Sequence, residues 1–130
     1  MLINKDKKMI VFPVKTDKEN SNISPLFGKA KYFAFYDGET VKIEANPYNK
    51  GSMIIDWFLS RGVRIVIIKE MGNTPYKKIK DTDIDILYAG EKKISINDLI
   101  EEYNSQKLEV LDEDRMMEII KNHKKSHKNN

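Results

Sequence analysis

The chain contains no Cys, and its two His residues, His123 and His127, both stand within residues 121–130. Residues 1–120 therefore carry neither thiol nor imidazole. A Ser-His-Asp triad, a Cys-His pair, an imidazole base and any cysteine-held zinc or iron–sulfur site are excluded from the body. Asp, Glu, Lys, Tyr and Ser remain, with backbone amides and the thioethers of six Met. Asp81, Asp83 and Asp85 imitate the start of a calcium loop, but Ile86 and Lys92 occupy the positions that need Gly and Glu, so the pattern fails. Glu70, Asp56, Glu101 and Glu102 are scattered carboxylates that read as solvated surface. His123 and His127 are spaced i,i+4 and would chelate as a pair only on a helix; no metal-ligand set is assigned.

Two loops carry more chemistry. The first runs from Asn22 to Ala30 and gathers Ser24, Phe27, Gly28 and Lys29, an aromatic, a glycine and a cation within one turn-rich segment. The second, Met71 to Thr74, follows a long β-branched run and opens a helix, so that Gly72, Asn73 and Thr74 offer backbone N–H groups to an anion. Both residue sets are candidate ligand-binding positions.

The elements that must position these loops follow from hydrophobic period. Met9 to Lys15, Lys31 to Asp37 and Thr40 to Ala45 read as strands, the last two joined by a turn at Asp37-Gly38. Ile54, Trp57 and Phe58 recur at helical spacing between Ser52 and Arg61, with Gly62 as the stop. Val63 to Ile68 reads as a strand buried on both faces. Thr74 is expected to cap a helix with Pro75 at its first position, and Ile84 to Tyr88 forms a fifth strand. Ser95 and Asp112 are expected caps of two further helices, the second carrying Met116, Met117, Ile119 and Ile120. The order β-β-β-α-β-α-β-α plus a C-terminal helix predicts an α/β fold on a mixed five-stranded sheet.

Charge and length bound the class. A chain of 130 residues suits one domain, here residues 1–111, followed over 112–130 by a C-terminal helix and a basic disordered tail, frayed over 121–130. Of the net +3, residues 121–130 supply four Lys and no acid, which leaves the body at −1. A near-neutral body gives no electrostatic reason to expect a nucleic-acid face. No run approaches the ~20 apolar residues of a membrane span, and Met9 to Val14 is too short for a signal-peptide core. The expectation is a soluble cytoplasmic protein, with residues 112–124 available to a protein partner or a second copy.

The stretch Ile10-Val-Phe-Pro-Val14, then Ile23-Ser-Pro-Leu-Phe-Gly-Lys-Ala30 with Tyr32-Phe33, then Asn46-Pro47, Gly62-Val63, Val66-Ile67 and Met71-Gly72, resembles the dinitrogenase iron–molybdenum cofactor biosynthesis family. That family includes NifX-like carriers and the C-terminal domain of NifB. The resemblance spans roughly Met9 to Leu111 and implies a ribonuclease H-like three-layer fold. It further implies non-enzymatic binding of an iron–molybdenum–sulfur cofactor or its precursor. Leu26 stands where the family motif often has His, a second family His falls near Lys50, and Lys29 replaces the motif's Arg. On that resemblance the direct imidazole ligands are gone. Ser24, Phe27, Gly28, Lys29, Gly72 and the Thr74 cap remain as a frame that would hold a small anion or an anionic cluster in its outer sphere. The rival reading is an interaction module with a vestigial pocket. A nuclease, which the fold class also hosts, would want acids on the first strand, and Met9 to Lys15 has none.

Overall fold

The computed structural model describes residues 8–128, with side chains through Lys124. Six strands form one sheet in the order β3-β2-β1-β4-β5-β6. They are β1 (Met9–Val14), β2 (Tyr32–Tyr36), β3 (Val41–Ala45), β4 (Val63–Ile68), β5 (Asp85–Tyr88) and β6 (Glu109–Val110). The first three make an antiparallel meander, β4 and β5 add parallel to β1, and β6 returns antiparallel to β5. The sheet thus has one strand more than the sequence predicts. β6 is two exposed residues long, too short to display an alternation.

Strand alternation sorts the core into two clusters. Val11, Phe33, Phe35, Val66, Ile68 and Ile86 face one side and meet Ile54, Ile55 and Phe58 of α1 (Gly51–Ser60), Tyr76 and Ile79 of α2 (Asn73–Ile79), and Met116, Ile119 and Ile120 of α4 (Glu113–Lys128). Ile10, Phe12, Val14, Ala34, Ile65, Ile67 and Leu87 face the other side and meet Ile96 and Leu99 of α3 (Ile96–Asn104). The result is a three-layer α/β/α arrangement, as expected. Met9 pairs with Val63 but Ile10 pairs with Ile65, so exposed Arg64 is the extra residue of a bulge. Pro13 lies past the paired residues of the parallel ladder and opposite Phe33 of β2.

Helix ends test the capping reading. Ser95 Oγ accepts from Asp98 N at 3.3 Å, and Asp112 Oδ1 accepts from Arg115 N at 2.9 Å, so both caps stand where expected. Thr74 is not a cap: α2 begins at Asn73 with Gly72 before it and no side-chain cap bond. Pro75 misled because every N–H of a first helical turn lacks an intrahelical acceptor, so proline fits at more than its first position.

The C-terminal segment also departs from expectation. Instead of fraying from 121, α4 runs to Lys128, and Leu111, Met116, Ile119 and Ile120 belong to the same cluster as the sheet. The apolar stripe expected to dock a partner through residues 112–124 is covered by the chain's own core. Among the described residues no helix is long and apolar enough to cross a membrane.

On the β3 edge, Arg61 forks Glu44 at 2.8 and 2.5 Å and lies 4.4 Å over the Phe35 ring. The Arg61 hydrogen bond lowers the Glu44 carboxyl's pKa below its ordinary value. A depressed folded-state pKa gives stability that is present above the unfolded value and lost as pH falls through the folded one. Glu44→Gln is expected to cost about 0.5–1 kcal/mol at pH 7. In denaturant titrations the gap from wild type should close as pH drops below the ordinary glutamate range.

Candidate functional site

β1 and β4 are parallel neighbours, so the loops that leave their carboxyl ends emerge on the same edge of the sheet. The first loop does not hang free. It folds back along β1, where Val14 bridges Ile23, Ser24 N donates to Pro13 O at 2.9 Å and Ile23 N donates to Ile94 O at 2.9 Å. Buried Ser24 then turns the chain, its Oγ accepting from Leu26 N at 3.1 Å. Phe27 inserts into the aromatic cluster, edge-on to Phe33 at 5.5 Å and to Phe58 at 5.9 Å. That anchor fixes Gly28 and Lys29 at the surface beside it. Asn46 joins the β3–α1 loop to this segment by donating from Nδ2 to Ala30 O at 2.9 Å and accepting from Tyr48 N.

The second loop arrives from β4. Its Met71 is buried in the core, and Gly72 follows at the start of α2. A Cβ on Gly51, the first residue of α1, would fall 2.9 Å from Pro75 Cδ, so glycine there allows α1 and α2 to begin in contact. The two loops and the two helix starts enclose a cavity of about 340 Å³. Leu26, Phe27, Gly28, Lys29, Gly72 and His123 are on its wall. The volume lies within the range usual for small-molecule sites, about 300–1,000 Å³.

Of the seven residues singled out from sequence, Phe27, Gly28, Lys29 and Gly72 meet in this cavity, while Ser24 shapes the turn behind it. Asn73 and Thr74 are not on its wall; around the start of α2 the cavity is lined by Gly72, which precedes the helix, and by Pro75 within it. The larger departure is His123. The body brings no imidazole of its own, but α4 returns one to the cavity, correcting the expectation that the pocket lacks such a group. The His123 ring binds Glu70 Oε1 through Nδ1 at 2.9 Å. The side chain of His127, its expected chelating partner, is outside the described residues.

Among the described residues no carboxylate lines this cavity, and Lys29 and His123 are the titratable groups on its wall. Next to it lies a second hollow of about 310 Å³, bounded by Pro25, Lys69, Glu70, Tyr88 and His123. Lys69 Nζ donates there to Gly90 O at 3.0 Å and to Lys92 O. Burial, aided by Lys15, lowers the Lys69 pKa below its ordinary value. A wider depression of about 780 Å³ beside β5 and α3 is walled by charges of both signs, among them Glu91, Lys92, Glu101 and Lys107, and is away from the two loops.

The sequence matches the dinitrogenase iron–molybdenum cofactor family over residues 8–106. The chain belongs to that family. No curated protein matches it. Among solved structures it is similar to a candidate NifB protein from Thermotoga, at 21% identity and TM-score 0.68, over 80% of this chain and 93% of that one. It is likewise similar to the apo form of the orange protein from Desulfovibrio gigas, at 11% identity and TM-score 0.70, over 81% and 93%. A candidate dinitrogenase from Methanocaldococcus jannaschii gives 21% identity and TM-score 0.60, over 81% and 95%. At these identities the likeness shows a shared fold. The family match ends at residue 106, before β6 and α4, so His123 comes from outside the matched segment.

Proposed function

We propose that this domain binds and carries an anionic metallocluster of the iron–sulfur type, molybdenum-containing or its precursor, in the 340 Å³ cavity, without turning it over. The observation that carries the reading is the convergence of the Leu26–Lys29 loop with Gly72 on one cavity whose wall, among the described residues, has the Lys29 ammonium and no acid. Sulfide-bridged clusters with anionic terminal ligands bear negative charge. A lysine ammonium and backbone amides can hold such a charge by charge-assisted hydrogen bonds. Gly28 and Gly72 let a bulky guest approach the backbone, and a Cβ at Gly28 would meet nothing within 4 Å. The family name supplies the cluster's class, and the donor set fits it.

Anaerobic native mass spectrometry with metal analysis, on untagged full-length protein, tests the reading. The expected result is a cluster-sized added mass containing iron or molybdenum. Protein that stays bare after anaerobic incubation with a preformed thiolate-ligated [4Fe–4S] cluster would instead favour the interaction module with an unused pocket.

A further inference from the structure

His123 reaches the cavity through a built path. β6 turns the chain back along β5, Asp112 caps α4, and Met116, Ile119 and Ile120 lay one helical stripe into the core. His123 continues that stripe, four residues after Ile119 and three after Ile120, and lands over Gly72. A Cβ built on Gly72 would lie 3.4 Å from His123 Nε2 and 3.5 Å from Cδ2. That is ordinary van der Waals distance, so the ring packs directly against Gly72, and a side chain longer than a methyl there would compete with it for the same space. Half-buried, His123 stands in the wall shared by the 340 Å³ and 310 Å³ cavities.

Glu70 decides how the ring is used. A carboxylate only accepts hydrogen bonds, so Nδ1 carries the proton in the 2.9 Å contact, and in the neutral ring the lone pair is then on Nε2. A carboxylate behind one ring nitrogen is the arrangement that orients metal-binding imidazoles and raises their basicity. Glu70 immediately precedes Met71 and Gly72, so the orienting group and the glycine the ring packs against belong to one short segment.

We infer that His123 Nε2 is a direct nitrogen ligand to one iron of the cluster held in this cavity. This rests on the carrier reading above and adds an inner-sphere contact to it. Binding is a ligand exchange: one Fe–S(thiolate) bond of the incoming cluster breaks, an Fe–N bond forms, and the thiolate leaves with its electron pair. No electron is transferred between centres. Lys29 and the backbone at Gly28 neutralise and seat the remaining charge.

The experiment is anaerobic loading of the full-length protein, with 15N-histidine incorporated, using a preformed [4Fe–4S] cluster with small exchangeable thiolates. Pulsed electron paramagnetic resonance on the reduced cluster reads the nitrogen hyperfine coupling. Wild type and His127→Ala should both show the 15N coupling. His123→Ala should lose it and bind the cluster about 10–100-fold more weakly. His123→Cys should recover binding through a thiolate without the nitrogen signal, and Gly72→Val should lose the coupling by displacing an intact imidazole. Cluster bound to wild type with no nitrogen coupling, or coupling that survives His123→Ala, would overturn the assignment while leaving the carrier reading in place. Failure of wild type to take up any cluster would overturn both.

Discussion

Gly28→Phe is expected to abolish uptake of the thiolate-ligated cluster, by about 100-fold or more, while leaving the melting temperature within a few degrees of wild type. Two observations set that combination. Gly28 is on the cavity wall, so a ring there occupies the space of the guest. Its own Cβ meets nothing within 4 Å, and its backbone is outside the left-handed region, so the fold offers no resistance to a side chain. Most ways of filling a cavity overpack a core and cost about 1–3 kcal/mol. This one fills space that the fold itself leaves open. Lys29→Gln should have a smaller and salt-sensitive effect, about tenfold, since it removes one charge-assisted contact and no volume. Native mass spectrometry and thermal melts on the same samples separate the two effects. Normal cluster uptake by Gly28→Phe would remove this cavity as the site.

The parts of the fold legible in the sequence are those whose signal is local. Val63 to Ile68 declares itself as a covered strand because its β-branched residues are consecutive, and the observed strand has the same ends. Ser95 and Asp112 announce helix starts because a cap is a contact within three residues. Gly62 closes α1 at φ +73°, a backbone angle that favours glycine. The two loops could be named separately, and the meeting of Gly28 and Lys29 with Gly72 follows once β1 and β4 are parallel neighbours.

What was not legible is what depends on the chain's return. β6 is too short to show a period, and only its pairing with β5 makes it a strand. His123 had a readable signal, since Met116, Ile119, Ile120 and His123 share one helical face. Net charge hid it. A count over residues 121–130 averages around the helix, and the solvated lysines outweigh the single residue turned inward. Elimination by residue type failed for the same reason: an imidazole absent from residues 1–120 is absent from the sequence of the body, but not from its surface.

Met116→Ala is expected to destabilise the whole domain by about 2–4 kcal/mol, whereas Met117→Ala, one residue on, should change stability by less than about 0.5 kcal/mol. The chemistry of the two substitutions is identical and only the helical face differs. Met116 is 1% exposed and packs in the cluster that includes Met71, Tyr76, Ile79 and Ile86, while Met117 is 46% exposed. Folded domains hold only about 5–15 kcal/mol in all, so the first substitution removes a large fraction of the total. Denaturant titration followed by Trp57 fluorescence reads it from α1, a different helix packed on the same cluster. Equal, small effects at both positions would make residues 1–111 a self-sufficient domain and α4 an attachment. A large effect at Met116 alone makes α4 a structural member, and it carries a functional consequence. The contacts that hold Met116, Ile119 and Ile120 in the core also hold His123 over Gly72. Met116→Ala should therefore weaken cluster binding even under conditions where the sheet remains folded, and the loss should track that of His123→Ala, without exceeding it.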